Sequence, residues 1–373
     1  MKRKLEIPEP KRLNKIRIVR FISSQGMTSK SEISAQLNLS MPTTLQNVKE
    51  LTEAGIVTEE GAYESTGGRK AKALSVVRDA AYACGVDLTR QHMTLALVNA
   101  RKELVAWDRL KEPFYNEPEY FELLETRIRE FLNREKIGWE KLSGIGFSVP
   151  GLVDKRCKVL KRSDVLKVYD VSFQELGNRL GCRFDIENDA NSAAYAQFHR
   201  LESDAVYLSL SNTVGGAIYF GGALYEGEYG KSAEFGHMVI EKDGRQCYCG
   251  KRGCADAYCN AEILQRACTG SVADFFSLLK QGDTACKAAW DEYLEYLAVA
   301  VANLRVVFDC DIYLGGYVGG YLEEYLPELS KRVQSYSRMD LDASFLKIGR
   351  GKLEASAYGV ALRFIDQFFD SII

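Results

Sequence analysis

The segment EFGHMVIEKDGRQCYCGKRGCAD, residues 234–256, decides how the rest of this 373-residue chain is read. It brings His237, Cys247, Cys249 and Cys254 into one short stretch. Three thiolates and an imidazole are the donor set of a closed, tetrahedral structural zinc site, so Zn2+ is the expected cofactor. Gly250 and Gly253 suit the tight turn that returns Cys249 and Cys254 to one ion. Lys242-Asp243-Gly244-Arg245 reads as a hairpin turn that carries the chain back toward His237. Three unconnected buried thiols and an unrelated histidine would not account for the Cys-x-Cys-Gly-x-x-Gly-Cys spacing. Four protein donors leave no open position for a reacting water, which favours a structural ion over a catalytic one.

Outside this segment the cysteines are scattered, and Cys259 is near enough to be an alternative ligand. Scattered thiols without a framework spacing fit a reducing, cytoplasmic setting. No apolar run is long enough to span a membrane, and Met-Lys-Arg-Lys at the start lacks a signal-peptide core. A hydrophobic fraction of 46% and a charged fraction of 27% describe an ordinary globular chain, long enough for two or three domains. Net charge is only −2, yet residues 1–80 hold 14 Lys and Arg against 9 Asp and Glu, leaving 35 against 42 in the remainder. A basic head on an acidic body assigns any polyanion contact to the head.

Within residues 1–80, Leu13, Ile16, Val19 and Ile22 fall near helical spacing. Ser29-Lys-Ser-Glu32 is a capping box for a second short helix. Ser40 can cap a third, with Pro42 in its first turn. Leu45, Val48 and Leu51 are expected to be buried, and Thr43, Thr44, Gln46, Asn47 and Lys49 to lie outside. Ile56–Glu60 and Ala71–Val77 read as strands joined by the basic, glycine-rich turn Ser65-Thr-Gly-Gly-Arg-Lys. Short helix, turn, polar-faced helix and hairpin make a winged helix-turn-helix. Ser40 starts the third helix. Thr43, Thr44, Gln46 and Asn47 would face base edges, and Lys49, Arg69 and Lys70 would face phosphate or the minor groove. A plain three-helix packing module with a solvated polar face is the competing reading.

From residue 81 onward the runs Tyr82–Leu88, His92–Asn99 and Glu103–Arg109 read as an antiparallel meander. A helix over Glu117–Asn133, a strand over Leu142–Val149, a strand over Arg183–Glu187 and a helix over Asn188–His199 follow. Strands Ala205–Leu210 and Gly216–Phe220 and long helices Ala288–Phe308 and Ala355–Phe369 complete the outline.

These motifs together resemble the ROK family of sugar kinases and sugar-responsive repressors. The likeness is carried by Glu-x-Gly-His with the cysteine loop, by Gly146-Phe-Ser-Val-Pro-Gly-Leu-Val-Asp154, by Glu187-Asn-Asp-Ala-Asn191, and by the Ser-Thr-Gly-Gly-Arg wing. It implies an α/β chain: an N-terminal winged helix-turn-helix (residues 1–80), then a two-lobed actin-like ATPase (ROK) fold with a structural zinc loop (residues 81–373). Lobe one is expected over about 81–203 plus the C-terminal helix, and lobe two over about 204–354. The resemblance further implies that Asn188, Asp189, Glu234, His237 and Asp256 bind a sugar or sugar phosphate. Asp256 stands where the family usually has glutamate.

The kinase members need Asp-x-Gly-Gly-Thr, where this chain has Asp87-Leu88-Thr89-Arg90-Gln91. Their Gly-Thr-Gly-x-Gly-Gly is here Ser211-Asn212-Thr213-Val214-Gly215-Gly216, and their Gly-Gly-Gly is Gly315-Gly316-Tyr317. Each change adds a side chain where backbone must approach phosphate, so catalysis is not expected and no residue is assigned a catalytic role. The expected protein is a cytoplasmic repressor that binds operator DNA as a homodimer or homotetramer under control of a sugar effector. A sugar kinase with an added DNA-binding head, and a regulator governed by a protein partner, are the alternatives.

Overall fold

The computed structural model describes residues 10–63, 71–201, 203–337, 340–351 and 353–372. The head comprises α1 (Pro10–Gln25), α2 (Lys30–Gln36), α3 (Met41–Glu53), β1 (Val57–Tyr63) and β2 (Ala71–Val76). Both serine caps form: the Ser29 hydroxyl accepts from the Glu32 amide, and the Ser40 hydroxyl from the Thr43 amide, each at 3.2 Å. β1 and β2 pair antiparallel, as the wing requires. Arg69 and Lys70, expected at the wing tip, lie outside the described residues.

The phase of α3 corrects the expected polar face. Thr44 and Asn47 are buried with Val48 and Leu51, while Leu45 is 45% exposed. Positions 44, 47, 48 and 51 form one continuous helical stripe against α1 and α2, and 45 falls one step around it. Asn47 tolerates burial because its Nδ2 donates to the Thr43 carbonyl at 2.8 Å. Ser40, Thr43, Gln46 and Lys49 remain at the surface or partly so. Ser40→Ala should cost about 1 kcal/mol by freeing the start of α3. Amide exchange in the first turn of α3 should rise while the rest of the chain is unaffected.

The first large sheet runs β3 (Tyr82–Leu88), β4 (Met93–Asn99), β5 (Leu104–Leu110), β6 (Leu142–Val149) and β10 (Phe184–Asn188), in the order β10-β6-β3-β4-β5. Between β5 and β10 lie α4 (Pro118–Arg134), the small sheet β7 (Leu152–Asp154), β8 (Val159–Ser163) and β9 (Val168–Ser172), and α5 (Gln174–Leu180). The meander β3-β4-β5 is antiparallel, and β6 and β10 add in parallel. β4 is buried along its whole length because helices cover both faces. On one face α4 presents Tyr120, Leu124, Ile128 and Phe131, at helical spacing.

α6 (Asp189–Phe198) leads into the second sheet: β11 (Ala205–Leu210), β12 (Val214–Phe220), β13 (Ala223–Leu224), β14 (Asp311–Gly315) and β15 (Leu346–Ile348), ordered β13-β12-β11-β14-β15. Its helices are α7 (Asp256–Cys259), α8 (Ala261–Cys268), α9 (Val272–Gln281), α10 (Thr284–Phe308), α11 (Gly316–Gly319) and α12 (Leu326–Tyr336). The chain ends in α13 (Ala355–Asp370), which returns to the first sheet and lies on β3, β6 and α6. The approach is close: a Cβ on Gly85 would stand 1.8 Å from the Ala357 carbonyl oxygen, so only glycine fits β3 there.

The far side of α13 holds the head. Ile18, Val19 and Ile22 of α1 share one buried cluster with Leu362, Ile365, Phe369 and Ile372. Arg20 adds two bonds to the Asp370 carboxylate, at 3.0 and 2.6 Å. The head is therefore seated on the body through an apolar contact, which no local pattern in the sequence foretells. Among the described residues no helix is long and apolar enough to cross a membrane.

Candidate functional site

β10 ends at Asn188, whose side chain caps α6 by accepting from the Asn191 amide at 3.1 Å. Its Nδ2 donates to the Gly151 carbonyl at 3.1 Å, so the Gly146–Asp154 loop and the Glu187–Asn191 motif meet. Beside them lies a cavity of about 400 Å³ lined by Asn188, Asp189, Glu234, His237 and Tyr248. Four of the five expected sugar contacts thus share one cavity. Glu234 follows Ala233, which adopts φ 60, a left-handed conformation that non-glycine residues take at a cost. Burial raises the Asp189 carboxyl above the usual carboxylate range. Burial, with Asp189 nearby, also raises that of Glu234.

Asp256 is placed differently. It is buried outside this cavity, where its Oδ1 accepts from the Val214 amide at 2.6 Å and its Oδ2 from Asn260 Nδ2 at 3.3 Å. The short side chain is held by the backbone of the first residue of β12, and it borders the neighbouring cleft instead.

The donor atoms of His237, Cys247, Cys249 and Cys254 all lie within 4.8 Å of one another. Cys249 Sγ is 3.8 Å from Cys254 Sγ, and Cys247 Sγ is 3.8 Å from His237 Nδ1. Metal–sulfur bonds of about 2.3 Å at tetrahedral angles give sulfur–sulfur edges of about 3.8 Å, so the donors fit a metal ion of that kind. The opposite ring nitrogen, Nε2, faces the Tyr248 hydroxyl at 3.3 Å, which leaves Nδ1 as the donor toward the thiols. The loop is closed by Gly253, at φ 79, where a Cβ would meet the Glu241 carbonyl oxygen at 1.7 Å. Cys259 stays out of the cluster, buried beneath α10 with its carbonyl bonded to Tyr293.

The cleft beside Asp87 is lined by side chains. Arg90 and Tyr317, both standing where kinase members have glycine, border the same space as Asp87. Arg109 of β5 lies over the Tyr317 ring, 5.1 Å from its centroid, and approaches its hydroxyl at 3.5 Å. The two lobes therefore touch across this cleft. Asp87 is buried and accepts from Ser148 Oγ at 2.7 Å, and burial pushes its carboxyl up to about 7. An unfolded aspartate releases its proton near pH 4, so this group makes stability fall as pH rises from about 4 to about 7. Asp87→Asn should remove about one proton from that slope. Urea unfolding at several pH values across the window measures it.

Sequence reasoning missed Lys155, Glu226 and Arg363. Lys155 bonds Glu187 at 2.5 Å and also pairs with Glu226, and Arg363 pairs with the same Glu187 carboxylate. Glu187 belongs to the Glu187–Asn191 motif; Lys155, Glu226 and Arg363 come from other segments, and no sequence pattern joins them.

A winged-helix head seated on a two-lobed body, with a polar cavity between the lobes and a Cys/His cluster beside it, defines the class. The description "ROK family" matches residues 83–364 and "Winged helix-turn-helix DNA-binding" matches residues 12–58. This chain belongs to the ROK family. It is 26% identical over 376 residues to the xylose repressor of Bacillus subtilis (strain 168), covering 97% of both. It is 27% identical over 297 residues to the DNA-binding transcriptional dual regulator NagC of Escherichia coli (strain K12), covering 75% of this chain and 71% of that one. The crystal structure of a ROK family transcriptional regulator, a homolog of the E. coli MLC protein, superposes with a TM-score of 0.75 over 97% of both chains at 21% identity. The ROK hexokinase from Thermus thermophilus gives 0.62 at 26% identity, covering 75% of this chain and 97% of that one.

Proposed function

We propose that this protein is a sugar-responsive transcriptional repressor. The head binds operator DNA, the cavity binds a sugar or sugar phosphate, and Zn2+ held by His237, Cys247, Cys249 and Cys254 fixes the wall that carries Glu234 and His237. The observation that carries this reading is the pairing, in one chain, of a winged-helix head with a cavity lined by Asn188, Asp189 and Glu234, while Arg109 and Tyr317 meet across the neighbouring cleft. Kinship to the xylose repressor and NagC supports it.

Asn188 offers donor and acceptor, and Asp189 and Glu234 offer acceptors, which suits neutral ring hydroxyls. Ser40, Thr43, Gln46 and Lys49, with Arg69 and Lys70 of the wing, meet DNA. Such heads act in pairs on two-fold sites, so a cytoplasmic homodimer or homotetramer is the working form. A sugar changes operator affinity only by binding one arrangement of heads better than another.

The test selects an operator from a random DNA pool and measures its affinity with and without a panel of monosaccharides and their phosphates. Thermal shift is read in parallel, with ATP–magnesium as a separate ligand. A sugar that shifts both readouts, with no effect of ATP, is expected. Sugar-dependent ATP turnover abolished by Asp189→Asn would overturn the reading in favour of a kinase.

A further inference from the structure

Resting on the sugar-sensing reading above, we propose that Arg363 is the positioning residue that links occupancy of the cavity to the seat of the DNA-binding head. α13 spans 16 residues, about 24 Å, and is attached at three levels. In its first turn the Ser356 hydroxyl donates to the Asp189 carbonyl at 3.2 Å. Midway, Arg363 pairs with Glu187. At its end Phe369 and Asp370 hold Ile18, Val19, Ile22 and Arg20 of the head.

Glu187 is the hinge of this arrangement. It is 2% exposed, and its carboxylate gathers two cations, Lys155 and Arg363. The other oxygen accepts from its neighbour's amide, Asn188 N, at 3.0 Å and from Asn191 Nδ2 at 3.3 Å. Lys155 also reaches Glu226, which follows β13 in the second lobe. Lys155, Glu187 and Glu226 all line the cavity, whereas Arg363 does not. Cavity wall and C-terminal helix therefore share one buried carboxylate.

A hydroxyl-bearing ligand that draws Lys155 or Glu226 toward itself changes the charge around Glu187. Arg363 is the group on α13 that meets that change. A buried, fully bonded carboxylate redistributes its partners in discrete steps because losing one leaves an uncompensated charge. α13 carries the step as one unit, packed as it is against α6, β3 and β6. Arg363 also lies over Tyr195, 5.8 Å from the ring centroid, and Tyr195 donates to Asp366 at 2.5 Å. Its displacement thus acts on the helix and not on a loose side chain.

The experiment compares wild type, Arg363→Gln and Arg363→Lys as full chains. Sugar affinity is read by calorimetry, and operator affinity with and without saturating sugar by fluorescence anisotropy. In wild type the ratio of the two operator affinities should lie in the usual coupling range of about 5- to 150-fold. Arg363→Gln should bring that ratio to within about twofold of unity while sugar affinity changes less than about threefold, and Arg363→Lys should restore most of the ratio. A full ratio in Arg363→Gln overturns the proposal. No ratio in wild type with any sugar overturns the sensing reading itself, which separates the two failures. Should Arg363→Gln fail to fold, amide exchange of wild type decides: sugar must change protection in the last two turns of α13 and in α1, and unchanged protection there overturns the proposal.

Discussion

Cys254→Ser is expected to abolish metal binding and to lower the melting temperature by on the order of 10 °C. The size follows from what the loop has besides its metal. Cys254 is fully buried, but Val239 and Tyr248 of the same loop are 54% and 49% exposed, so little apolar burial holds it. Its backbone is tied by Ala255 N to Met238 O at 2.8 Å and by Ile240 N to Gly253 O at 2.8 Å. Those bonds depend on the turn that the four donors close. A structural zinc site contributes roughly 10 kcal/mol or more in isolated fingers, and a fraction of that is enough for the stated shift at about 2–4 °C per kcal/mol. Metal content should drop from about one ion per chain to nearly none. The sugar response should go with it, because Tyr248, Cys249 and His237 also line the cavity. Cys157→Ser, at an exposed thiol, should change neither. Full metal content in Cys254→Ser, or an unchanged melting temperature, would remove the metal from the account.

Why the ligand loop was legible and other parts were not has a physical basis. Metal donors are few residue types, and a tetrahedral site dictates their spacing, so 234–256 reads directly. The caps Ser29 and Ser40 are equally local, and both form. The phase of α3 is harder: Thr44 and Asn47 are buried, the latter with its amide bonded to a helix carbonyl, whereas Leu45 can lie at a surface without penalty. Hydrophobicity alone ranks these three the wrong way round. Asp256 shows the same limit, since a backbone amide from Val214 claims a carboxylate that the motif alone aims at a sugar. The seat of the head on α13 joins Arg20 to a partner 350 residues away, and nothing in either segment announces the other. Loss of the phosphate-loop glycines was visible in the sequence. That Arg109 and Tyr317 close the gap across the lobes was not.

Asp189→Ala is expected to weaken sugar binding by on the order of 100-fold, the cost of about 2–3 kcal/mol for a hydrogen bond to a charged acceptor. The same change should leave the empty protein as stable as before, or more stable, at neutral pH. Burial raises the Asp189 carboxyl, so the group is easier to ionise in the unfolded chain than in the folded one. Its contribution to stability is present below the ordinary aspartate pKa and is lost as pH rises through the raised folded value. Removing it therefore takes away a term that disfavours the folded state at neutral pH. Its bond to the neighbouring amide, Ala190 N at 3.0 Å, is a helix-start contact, and Asn188 already caps the same turn. A carboxylate kept at such a cost is one whose use lies in a ligand. Opposite movements in the two readouts, sugar affinity down and melting temperature of the free protein level or up, mark a binding group. A matching drop in both would mark a structural one, and unchanged sugar affinity would move the effector out of this cavity. The contrast with Cys254→Ser, where both readouts fall together, separates the residue that meets the sugar from the residue that holds the wall.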